Sequence, residues 1–145
     1  MPKKLLVLPL ILFAALAGCS SDLQAIANAE NAIPQAVTLI ANTSTSLVTS
    51  GSMSAAEGAS VAKILTDIVN ANAHAVTVTQ AISSLTAANK KSIAAIVTPI
   101  IQEIQAEITS GDVYNIKNAS AKLTITTALT ALTTTLQIIQ AKVGT

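Results

Sequence analysis

Cysteine occurs once in this chain, histidine once, and arginine and tryptophan not at all. A single cysteine excludes an internal disulfide, so a fold outside the cytoplasm would need a sufficient apolar core. One tyrosine and one phenylalanine are too few for the stacking platforms that bind sugars or bases. Eight lysines face seven acids. That balance cannot neutralise a run of phosphates, and no nucleic-acid partner is expected. Beyond the first twenty residues, Thr, Gln, Lys and Asn interrupt every apolar run before it reaches the ~18 residues of a membrane span. What remains is rich in Ala, Ile, Val, Thr, Ser and Asn. It suits one helical domain of about 127 residues after cleavage, long enough for its own core.

The N-terminus has a different character. Met1-Pro2-Lys3-Lys4 is short and positive, and Leu5 to Ala17 is apolar throughout. Small residues follow, and then the lone cysteine, Cys19. A basic start, an apolar stretch and a small-residue zone make a secretory signal peptide. Leu16-Ala17-Gly18-Cys19 resembles the lipobox of bacterial lipoproteins. The resemblance implies diacylglyceryl transfer to the Cys19 sulfur and cleavage between Gly18 and Cys19. N-acylation of the new terminus often follows. A thiol suits the transfer, because it is alkylated to a stable thioether. One acyl chain binds a membrane only reversibly, while two or three hold without a transmembrane helix. Ser20, rather than an aspartate, follows the cysteine. By the sorting habit of enteric lipoproteins, that implies the periplasmic face of the outer membrane. With Lys3 and Lys4 removed, six lysines face seven acids, and Tyr114 is the only aromatic left.

In the mature chain, three stretches carry helix-start signals. Ser54 with Glu57 fits a reciprocal capping box. Thr86 with Asn89 and Thr109 with Asp112 are weaker versions. Their likeness is read as convergence on good caps from a biased composition, with an ancient helix duplication as the alternative. Apolar residues then recur in steps of three and four. The first stripe is Leu23, Ile26, Ile33, Val37, Ile40 and Leu47, with Glu30 and Ser44 on the same seam. The second runs Val61, Ile64, Ile68, Ala71, Ala75, Val78, Ile82 and Leu85. The third is Ile93, Ile96, Val97, Ile100, Ile101, Ile104 and Ile108. The fourth is Ile125, Leu129, Leu132, Leu136, Ile139 and Val143. Ile116 and Leu123 do not fit it, so the last helix should shift or break near Asn118 to Thr124. The expectation is an all-α, antiparallel four-helix bundle with helices at about 22–47, 54–83, 86–107 and 110–143. Pro34 and Pro99 fall inside two of them. Each removes a backbone hydrogen bond and crowds the preceding turn, so each should kink its helix.

Chemistry is scarce. Asp67, Asn70 and His74 share one helical face, but a metal would need further ligands from another helix. Glu103 and Glu107 lie one turn apart, and as acid/base candidates they compete with a plain solvent-facing role. Lys90-Lys91 reads as a solvated pair near a helix start. No nucleophile elbow, phosphate loop or zinc motif appears. The sequence therefore points to a non-enzymatic lipoprotein. Its membrane partner is reached through lipid on Cys19, and it needs no other cofactor. Its protein partner would be an envelope component or another copy of itself. Two other readings are a phage-related or membrane-active lipoprotein, acting in lysis or superinfection exclusion and suggested by high apolar content with low charge, and a periplasmic metal-binding protein using Asp67 and His74.

Overall fold

The computed structural model describes residues 21–144. Gly18 and Cys19 lie outside them. Four helices follow in order: α1 (Asp22–Thr49), α2 (Ala55–Gln80), α3 (Ala87–Thr109) and α4 (Ala119–Val143). α1 packs on α2 and α4, and α3 packs on the same two. Short links join consecutive helices. The Lys142–Asp22 ion pair sets the end of α4 beside the start of α1. The architecture is an antiparallel four-helix bundle, as the periodicity predicts.

Each helix begins where a side chain can accept its free amides. Ser54 accepts from Glu57 N–H at 3.2 Å, and Glu57 Oε2 accepts from Ser54 N–H at 2.6 Å. This is the expected capping box. Thr86 accepts from Asn89 N–H at 3.3 Å. Ser21 does the same for Gln24 at 3.2 Å, and Asn118 for Ser120 and Ala121 at 3.0 Å each. Gly51, with φ +75°, turns the chain between α1 and α2 in a conformation that disfavours other residues.

The third cap expected from sequence is displaced. Thr109 is the last residue of α3, and its hydroxyl donates back to Gln105 O at 2.8 Å. Residues 110–118 form an irregular segment, and α4 starts at Ala119 rather than 110. Gly111 makes the segment fold tightly: a Cβ there would stand 2.8 Å from Glu107 Cα. The Glu107 carboxylate accepts from Asp112 N–H at 2.8 Å. The segment has its own purpose in the core. Val113 and Ile116 are buried, and with Met53 they close one end of the bundle. Ile116 missed the helical stripe because it belongs to this lid. Leu123, 68% exposed, does point away from the core.

The core is aliphatic. Ile26, Ile33, Ile68, Ile93, Ile104, Ile125, Leu129, Leu132 and Ile139 are all fully enclosed. Each contributes on the order of 1.5–3 kcal/mol through removal from water. The Thr-rich α4 is helical because its buried stripe recurs at helical spacing, and most of its hydroxyls find acceptors within the helix, Thr126 being buried without one. Thr124, Thr130, Thr133 and Thr134 each donate to the carbonyl four residues back, at 2.8–3.1 Å. α1 and α3 run through Pro34 and Pro99 as continuous helices, with both rings exposed.

Candidate functional site

The stripe expected on α2 is turned in its second half. Asn72 and Thr79 are buried, whereas Ala71 and Val78 are only half-buried. The reason lies on α1. Pro34 has no N–H, so the carbonyl of Glu30, four residues earlier, lacks its helical donor. Asn72 Nδ2 supplies one, at 3.1 Å from Glu30 O. The Glu30 side chain is itself only 2% exposed. Its Oε1 accepts from the Thr79 hydroxyl at 2.7 Å. Two residues of α2, seven apart, thus serve the backbone and the side chain of one residue of α1. Ala71 and Val78 instead line the groove between α2 and α3, with Asn70, His74, Ser92 and Pro99.

Burial pushes the Glu30 carboxyl above the usual carboxylate range, and the Thr79 hydrogen bond only partly offsets this. No cationic side chain among the described residues pairs with it. Gln24, Asn31 and Gln80 complete the shallow cleft at its edge. Besides Glu30, the cleft is lined by the hydroxyls of Ser21 and Thr79, the amides of Gln24, Asn31 and Gln80, and apolar side chains. Its chemistry is that of a polar lock between two helices. The Asn72 Oδ1 atom is buried without a partner, a sign that the amide is held for its donor end.

The other candidates are dispersed. His74 and Asn70 are exposed on α2. Asp67 is engaged by Lys63 at 3.1 Å. That hydrogen bond, with Glu103 and Glu107 across the interface, holds the Lys63 ammonium above its ordinary range. Among the described residues, no three His, Cys, Asp or Glu side chains converge to hold a metal ion. Glu107 is turned to the backbone of the 110–118 segment, where it accepts from Asp112 N–H. Tyr114 is half-exposed at the bundle end, with Lys122 Nζ 3.7 Å above its ring centroid.

The 110–118 segment is tied to α2 by polar contacts. Ser60 Oγ donates to Asp112 Oδ2 at 2.8 Å. Glu57 Oε1 accepts from Lys117 N–H at 2.9 Å. Glu57 therefore serves two backbone amides, first that of Ser54 and then that of Lys117. Both hold its carboxyl below the usual range. None of the described helices is long and apolar enough to cross a membrane. The chain matches no protein-family model, no curated protein and no solved structure.

Proposed function

We propose that the chain is a lipid-anchored envelope lipoprotein whose four-helix domain acts as a structural or interaction module, without catalysis. The observation that carries this reading is Leu16-Ala17-Gly18-Cys19 at the end of a basic, then apolar, leader. Two further points support it. Helix α1 starts at Asp22 with Ser21 as its N-cap, two residues after the cysteine, so the proposed cleavage would leave all four described helices intact. The apolar residues that raise the mean hydropathy to +0.61 include the leader and a closed helical core. The composition therefore needs no membrane-active helix to explain it. Tri- or diacylated Cys19 would hold the domain at the membrane, and Ser20 favours the outer membrane as its place.

The experiment is metabolic labelling with palmitate in a bacterial host. The natural chain should take up label and lose residues 1–18. Cys19→Ser should take up none and accumulate as precursor. A labelled, normally processed Cys19→Ser product would overturn the reading.

A further inference from the structure

The antiparallel order brings the start of α1, the link 81–86, the start of α3 and the end of α4 to one end of the bundle. Ser21, Asp22 and Leu23 stand against Ser83, Ser84, Leu85 and Lys90 there. Three of the mature chain's six lysines, Lys90, Lys91 and Lys142, gather at this end, against one exposed acid, Asp22. Lys142 is neutralised by Asp22 at 3.0 Å. Lys90 and Lys91 have no carboxylate within ion-pair distance among the described residues, so the described side chains leave two positive charges uncompensated at this end. Helix stability does not account for them. They follow the first turn of α3, where the helix dipole favours acids, and that turn contains none. The opposite end is mixed and acid-rich, with Glu57, Glu107 and Asp112 beside Lys117 and Lys122.

We propose that the Lys90–Lys91 end docks on an anionic lipid surface, with the 110–118 end facing away. This rests on lipidation at Cys19. Only two residues, Cys19 and Ser20, precede Ser21, and an extended chain spans at most about 3.6 Å per residue. The tether therefore keeps the Ser21 Cα within about 7 Å of the Cys19 Cα, so the lipid would attach at this end of the bundle. Charge complementarity then selects the headgroups. Each lysine near an anionic surface is worth about 1 kcal/mol, so the pair shifts the docked-to-undocked ratio about 30-fold between neutral and anionic membranes.

The test uses residues 19–145, which hold all four helices, linked through the Cys19 thiol to a maleimide phospholipid. Vesicles are phosphatidylcholine alone, or phosphatidylcholine with 30 mol% phosphatidylglycerol (about a third anionic). A water-soluble amine-acylating reagent then reports each lysine's reactivity by peptide mass spectrometry. Lys90 and Lys91 should react several-fold more slowly on the anionic vesicles, and Lys117 and Lys122 at unchanged rates. Salt of about 1 M, where screening falls to about 3 Å, should abolish the difference. Equal rates at Lys90 and Lys91 on both membranes, or equal slowing at both ends, would overturn the proposal. The thioether is made chemically, so the outcome is separate from lipidation in cells. An unacylated chain in the cell envelope would remove the proposed function without altering this result.

Discussion

The Asn72 amide should matter mainly because Pro34 is a proline. Asn72→Ala deletes the side-chain donor to the Glu30 carbonyl, whose regular helical donor Pro34 lacks. Leaving a buried acceptor without a partner costs about 1–3 kcal/mol. Losing the unpartnered Oδ1 atom returns part of that, so the net loss should be about 1–2 kcal/mol. In a Pro34→Ala background the result should differ. The restored N–H at position 34 can reach Glu30 O within the helix, so the carbonyl is no longer orphaned. There Asn72→Ala should cost about 1 kcal/mol less, a coupling within the usual range for residues sharing one partner. The assay is a double-mutant cycle by urea unfolding of residues 19–145 with Cys19→Ser, at constant m-value. An equal cost of Asn72→Ala in both backgrounds would refute the link between the proline and the amide.

Glu30→Gln should stabilise the fold at pH 8 relative to its effect at pH 4. The carboxyl is raised by burial, so its favourable contribution is present below about 4.5 and lost as pH rises through the folded value. A stability difference that stays flat between those pH values would contradict the burial assigned to it. Ser54→Ala should cost about 0.5–2 kcal/mol in urea unfolding, the range for losing an N-cap, and Ser52→Ala much less. Equal losses would misplace the start of α2. His74→Gln should move stability by less than about 0.5 kcal/mol, with or without zinc or copper, because the side chain is exposed. A metal-dependent rise in Tm that vanishes in His74→Gln would make it a ligand.

The bundle was legible because its seams are isoleucine and leucine at helical spacing, and because Ser54 and Thr86 are followed by residues they cap. The fourth helix was misplaced because Thr109-Ser110-Gly111-Asp112 has the composition of a cap. Only the tertiary structure shows that Val113 and Ile116 turn inward to close the core. Sequence periodicity put Glu30 on the seam but not its partners. Asn72 and Thr79 are one residue away from the apolar stripe, which here follows the α2–α3 face while the polar pair follows the α1–α2 face. One signal was available: a proline four residues after a seam glutamate orphans that glutamate's carbonyl, and a buried donor must come from another helix. The lysine end was hidden for a different reason. Lys90, Lys91 and Lys142 become neighbours only once the helix order closes into a ring.

Intact mass spectrometry of the chain recovered from a bacterial envelope tests the central claim most directly. The account predicts a product beginning at Cys19 and heavier than residues 19–145 by the mass of a diacylglyceryl group, with or without one further acyl chain. A product with an unmodified Cys19, or one that retains residues 1–18, would contradict it.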